Sequence, residues 1–262
     1  NLFQKLNIFY HKPISKFVAK VEAVEKCKKS TDVMVNKAIS DSDAIELKNQ
    51  SLVSSQNAVF NPMFATVQQV IDSIKSGEMV ILLDDNDREN EGDLVFPAST
   101  ITAKDINFML KYGRGVICLA IHPTISQRLN IELQHRHNSL PNDPMFTVSI
   151  EAAEGITTGV SAEDRAHTIR VAASEKSSPD DIRTPGHVFP IISHPNGLNG
   201  RIGHTEASVE LMKMAGLSKA AVICEVLDDN GNAAKGDDLM RFAQEHNIKI
   251  CTVDMLKKYQ NL

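Results

Sequence analysis

The segment Asp84-Asp85-Asn86-Asp87-Arg88-Glu89-Asn90-Glu91-Gly92-Asp93 sets six carboxylates around one arginine, directly after the apolar run 79–83. Carboxylates this close raise one another's pKa unless a cation or a hydrogen-bond donor compensates. Hard oxygen ligands in a loop suit magnesium or manganese, and the lone Arg88 suits a phosphate or another anionic group. The competing reading is a solvated acidic turn between two strands, since charge runs are commonly exposed faces.

Four further segments carry reactive groups between core-like flanks. In 155–165, Ser161 is a helix cap with Asp164 three residues on, much as in a capping box. Thr157 and Thr158 precede that helix and can offer hydroxyls to a ligand. In 183–190, a Pro185-Gly186 turn delivers His187 to the first position of an apolar strand. That is a defined placement for an acid-base group, although a lone histidine more often has a structural use. In 200–207, Arg201, Gly203, His204 and Thr205 precede a helix with an apolar face through Leu211, Met212 and Ala215. A helix N-terminus with free N–H groups binds phosphate, and Arg201 and Thr205 would add charge and a donor. A capped helix with a satisfied histidine is the plainer alternative; it leaves Arg201 beside His204 unexplained. Finally, Glu225 interrupts the apolar run 221–227, where a carboxylate must find a partner or have a raised pKa, as a general acid or base requires. His135 and His137 have a metal-like spacing but no ligand set near them, and read as loop.

The elements that must hold these groups can be read from periodicity. Thr66 can cap a helix with Val67, Val70, Ile71 and Ile74 on one face and Gly77 as its stop. Apolar runs at 79–83, 115–121, 146–150, 187–192, 220–227 and 248–253 read as strands. Helical stretches are expected over 103–112, 162–174, 204–215 and 237–245. Strands nearly continuous in apolar character, alternating with helices, imply a sheet covered on both faces.

Taken in order, the stretches DDNDRENEGDLVFPA, GVICLAI, FTVSIEAAEGITTGVSAEDRAHTIR, PGHVFPI, GRIGHTEASVELMKMAG and VICEVLDDNG resemble the 3,4-dihydroxy-2-butanone 4-phosphate synthases of riboflavin biosynthesis across roughly 64–258. The resemblance implies an α+β fold, a three-layer α/β/α sandwich with a mixed sheet. It implies conversion of ribulose 5-phosphate to 3,4-dihydroxy-2-butanone 4-phosphate and formate with Mg2+ or Mn2+. By motif, Glu89 and His204 would hold the metal, Arg88 and Asp93 the sugar, and Arg201 and Thr205, with the turn through Ile202 and Gly203, the phosphate. His187 and Glu225 match the family's acid-base residues. Cys118 matches a cysteine near the substrate, with a packing role as the alternative, and Thr158 is a possible substrate contact. The resemblance also implies a homodimer with shared active sites; many members carry a cyclohydrolase domain with a cysteine-rich zinc motif, and with no such motif in this sequence a monofunctional lyase is expected. Three features depart from the family pattern: Thr184 before Pro185-Gly186-His187, the sequence Asp228–Lys235 after Glu225, and the stretch before residue 61.

That stretch, 1–61, has nine lysines, no arginine and six acids, and reads as an extension and linker, either disordered or targeting, before a catalytic domain over 62–262. A net charge of -5 implies no general nucleic-acid affinity, and no apolar stretch is long enough to span a bilayer. Cys27, Cys118, Cys224 and Cys251 have no paired spacing, which fits reduced thiols in a cytoplasmic protein. An organelle is the alternative if the extension is a targeting segment. Two other functions compete with the synthase reading. A magnesium-dependent phosphotransferase or hydrolase using the acidic loop lacks its expected Gly-rich nucleotide loop, and an inactive binding module has no need for so costly a cluster of charges.

Overall fold

Side-chain alternation along the strands divides the core in two. In β1 (Val80–Leu83), Val80 and Leu82 belong to one apolar cluster and Ile81 and Leu83 to the other. The same alternation continues in β2 (Gly92–Pro97), β3 (Arg114–Ile121) and β7 (Ala220–Val226), so each strand feeds both sides of one sheet. This computed structural model describes residues 64–84, 90–135, 137, 140 and 143–260. The extension expected over 1–61 lies outside them.

Among the described residues the sheet has eight strands, completed by β4 (Met145–Phe146), β5 (Ile150–Ala152), β6 (Ile182–Ile192) and β8 (Lys249–Thr252). Its order is β4-β6-β3-β7-β2-β1-β8, with β5 paired to β6. The β1–β8 and β3–β6 pairs are parallel and the rest antiparallel, giving the expected mixed sheet. One face is covered by α1 (Val67–Lys75), α5 (His204–Met214) and α7 (Val253–Tyr259). The other face is covered by α2 (Ala103–Phe108), α3 (Pro123–Leu129), α4 (Ala162–Ala173) and α6 (Gly236–His246). The result is the α+β sandwich of three layers that the resemblance implies.

Local sequence explains the helix starts. Thr66 caps α1 in a full capping box with Gln69, and Thr102 does the same for α2 with Asp105. Ser161 accepts from the Asp164 N–H as expected, but the Asp164 carboxylate turns instead to the preceding loop, so the box is only half made.

Several boundaries differ from the sequence reading. The helix expected over 103–112 ends at Phe108 and continues as a π turn, Met109–Gly113. The strand expected over 146–150 is two short strands that pair with different parts of β6. β6 begins five residues before His187, so the Pro185-Gly186 dipeptide lies within the strand and not before it. Its pairing with β5 steps from Ile150↔Val188 to Glu151↔Arg183, which loops residues 184–187 out as a bulge. α3 and α7 were not expected. Each is seven residues long, too short for a full amphipathic period to stand out.

Candidate active site

Asp93 of β2 lies opposite Glu225 of β7, and Val95 opposite Ile223. Val95 and Ile223 pack on the α5 face, so alternation directs both carboxylates to that face as well. His204, the first residue of α5, brings Nδ1 to 3.7 Å from Asp93 Oδ1. Three residues distant in sequence, singled out separately, therefore meet where α5 begins.

Burial pushes the Glu225 carboxyl up to about 7, helped by the charges of Glu91 and Asp93 and by a hydrogen bond with Glu91. The nearby His204 opposes that shift. Glu91 also pairs with Lys235 at 3.1 Å. The acidic segment is closed at its base, with the Glu91 N–H donating to Asp84 Oδ1 at 2.8 Å and the Asp84 N–H to the Glu91 carbonyl at 3.1 Å. Asp84, Glu91 and Asp93 are thus built into the fold, unlike the residues of a solvated turn. Arg88 and Glu89, expected to hold substrate and metal, lie outside the described residues.

The turn before α5 is equally organised. Arg201 Nη1 donates to Glu206 Oε2 at 2.7 Å, and Glu206 Oε1 accepts from the His194 N–H at 2.9 Å. Glu206 is almost fully buried, so it fixes the guanidinium at the helix mouth. A side chain on Gly203 would run into Arg201 Nη1, which explains the glycine at this close approach. Gly203 is the N-cap and supplies no side-chain bond, leaving the first amides of α5 to a ligand. Thr205 is buried in the first turn, and Ile202 is exposed beside it.

His204 Nε2 is buried and has no hydrogen-bond partner among the described residues. A buried imidazole nitrogen left unpaired is costly, and a metal ion is one partner that removes the cost. With Asp93 and Glu225 nearby, the donor set suits a divalent cation. Among the described residues no group of three His, Cys, Asp or Glu side chains gathers around one metal position, so a cation held here would take further ligands from outside this set.

His187 belongs to a second cluster. Its Nδ1 bonds Glu151 Oε1, and among the described residues no hydrogen bond or ion pair joins it to Asp93, His204 or Glu225. In the sheet order β6-β3-β7, one strand separates it from Glu225. Thr158 is exposed in the loop after β5, whereas Thr157 is tied to Asp164. Cys118 is buried between Phe189 and Ile223 in register, and burial followed by the Asp93 charge pushes its thiol up to about 12. It is a neutral packing group at neutral pH.

A sequence model of 3,4-dihydroxy-2-butanone 4-phosphate synthase matches residues 68–259. The chain belongs to the 3,4-dihydroxy-2-butanone 4-phosphate synthase family. It is 50% identical over 199 residues to the riboflavin biosynthesis protein RibBA of Aquifex aeolicus, covering 75% of this chain and 49% of that one. It thus spans about half the length of that relative. It is 41% identical over 212 residues to a 3,4-dihydroxy-2-butanone 4-phosphate synthase of Klebsiella pneumoniae, covering 81% of this chain and 96% of the relative. A crystal structure of a 3,4-dihydroxy-2-butanone 4-phosphate synthase in complex with two magnesium ions superposes with a TM-score of 0.71 at 36% identity, covering 75% of this chain and 96% of that one.

Three residues of these two clusters carry contacts that the sequence reading does not single out. Glu151 interrupts the apolar stretch around β5 much as Glu225 interrupts β7, and the same argument would have found it. Glu206 sits two residues past His204 and looks like an ordinary first-turn acid of a helix. Glu91 was seen as one carboxylate of the acidic run, and its link to Glu225 depends on the β2–β7 pairing.

Proposed function

We propose that this chain converts D-ribulose 5-phosphate to 3,4-dihydroxy-2-butanone 4-phosphate and formate, as a step of riboflavin biosynthesis, with Mg2+ or Mn2+. The observation that carries this reading is the meeting of Asp93, Glu225 and the unpaired His204 Nε2 at the start of α5. Family membership and the likeness to a magnesium-bound relative support it.

Glu89 and His204 would hold the cation, which when bound supplies positive charge for substrate oxygens that become anionic. Arg201, oriented by Glu206, and the first amides of α5 take the phosphate, with Thr205 adding a donor. Arg88 and Asp93 hold the sugar hydroxyls. Glu225, pushed up to about 7, can both accept and release a proton near neutral pH, which enolisation and the later rearrangement each require. His187 is the second acid-base group. Cys118 contributes shape beside the substrate, and Thr158 a hydroxyl contact.

The assembly is a homodimer with shared sites. At the β4-β6-β3 end of the sheet several apolar side chains stay exposed, Val116 at 64% and Phe189 at 39%, with Phe146 in line with Ile191. Ile202 and Val160 are also exposed. Apolar surface of this kind on a strand-built face suits a second copy of the chain. Among the described residues no helix is long and apolar enough to cross a membrane. The cytoplasm is the proposed location, and no nucleic acid is a proposed partner.

The test follows carbon through the reaction. Ribulose 5-phosphate labelled with 13C at C4 should yield labelled formate and an unlabelled four-carbon phosphate by NMR. Label retained in the sugar phosphate, as in a simple isomerisation, would rule the reading out.

A further inference from the structure

Glu151 is built to face one side chain. Its Oε1 bonds His187 Nδ1, and its side chain is 16% exposed while the imidazole is 46% exposed. The carboxylate is thus the buried member of the pair and the ring the accessible one.

Four separate features converge to keep the carboxylate there. The pairing step in β5–β6 loops out residues 184–187, so that His187 returns over Glu151. Gly186, in that bulge, lies so close to the Ile150 backbone and the Glu151 stem that a methyl group would overlap both, and its N–H is held by Ser149 Oγ at 3.0 Å. Gly159 approaches from the loop before α4 with a φ of +87°, and a methyl group there would collide with the Glu151 carboxylate and the His187 ring. Asp164 fixes that loop, accepting from the Thr157 N–H at 3.1 Å, Thr157 Oγ1 at 2.7 Å and the Gly159 N–H at 3.0 Å. Two glycines on different segments leave room for one carboxylate, and two polar anchors hold the glycines in place. A carboxylate needed only for solubility or for an exposed ion pair has no use for such a housing.

We propose that Glu151 is the positioning residue for His187, fixing its imidazole as the Nδ1–H tautomer and leaving Nε2 as the working nitrogen. A carboxylate oxygen accepts and does not donate, so the bonded Nδ1 must carry the proton. Any proton His187 moves then passes through Nε2, on the exposed ring. When Nε2 takes a proton the ring becomes an imidazolium whose Nδ1–H stays on Glu151, and when it gives the proton up the same tautomer returns. The arrangement follows the logic by which a buried carboxylate orients a catalytic histidine in hydrolase triads. This inference rests on His187 being an acid-base group of the proposed reaction.

The test compares Glu151→Gln, Glu151→Asp and His187→Ala in the full chain, with formate release for activity and 15N NMR of histidine-labelled protein for the tautomer. An amide can donate to Nδ1, so Glu151→Gln should move the His187 proton to Nε2 and lower kcat by about a hundredfold or more with KM little changed. Glu151→Asp, which keeps a carboxylate, should recover part of kcat and the Nδ1–H form, and decides the matter if the Gln variant does not fold. Full kcat in Glu151→Gln while His187→Ala is inactive would overturn the inference, as would lost kcat with the tautomer unchanged. An active His187→Ala would instead remove the assigned role of His187, and the NMR would still decide whether Glu151 sets the tautomer.

Discussion

Asp93 and Glu225 face each other across the antiparallel β2–β7 pair, two carboxylates on one face in a register that normally brings side chains within about 5 Å. Directly opposed like charges destabilise a sheet, and one of the pair responds by holding its proton. Glu225 is that residue, with burial as the largest cause and Glu91 and Asp93 adding to it.

This relationship sets a pH dependence for stability. The folded chain binds the Glu225 proton more tightly than the unfolded chain, whose value is near 4.5, so the stabilisation is complete below about 4.5 and is lost as pH rises through about 7. In EDTA, Glu225→Gln should therefore match the parent in urea midpoint near the acid end of that window and exceed it at pH 8. Equal midpoints at pH 8 would show that the carboxylate is not held protonated by its surroundings.

His204 Nε2, which has no hydrogen-bond partner among the described residues, predicts a metal contact. In the parent chain, Mn2+ titration followed by electron paramagnetic resonance should report a bound ion, and His204→Ala should weaken it tenfold or more, on the order expected when a ligand is lost. His135→Ala, in an exposed loop with no ligand set, serves as the control and should leave the titration unchanged. Unaltered affinity in His204→Ala would exclude this nitrogen as a ligand.

Glu206 couples fold and phosphate site, because its buried carboxylate holds both Arg201 and the His194 N–H. Removing it takes a buried carboxylate partner from a guanidinium that is itself mostly enclosed. Glu206→Ala should cost about 3 kcal/mol of stability and also raise KM for the phosphorylated substrate. Arg201→Ala should raise KM to a similar degree. A Glu206 variant that loses stability but keeps KM would confine the residue to a structural role.

How far the site could be read from sequence depended on whether a residue betrayed itself locally. Glu225 stood out because a carboxylate in the run 221–227 has no local partner, and His204 and Arg201 because a helix start does not need both. Their meeting was not legible without the family motifs, since it depends on β7 pairing with β2 across more than a hundred residues of chain. His187 shows the opposite error. A Pro-Gly pair was read as a turn before a strand, whereas β5 accommodates it as a bulge within β6, a register effect that one strand's sequence does not contain. The short helices α3 and α7 were missed because their helical signal spans barely two turns. A sheet covered by helices on both faces was legible because the strands are nearly continuous in apolar character and alternate with helices, whereas its mixed pairing was implied by the family resemblance alone.

The central claim is tested most directly by measuring formate released from ribulose 5-phosphate by the full chain with Mg2+, and again after EDTA and metal restoration. One formate per sugar phosphate consumed, abolished by EDTA and recovered with Mg2+, is the predicted result. A folded, Mg2+-loaded protein that consumes no ribulose 5-phosphate, or releases no formate in doing so, would contradict it.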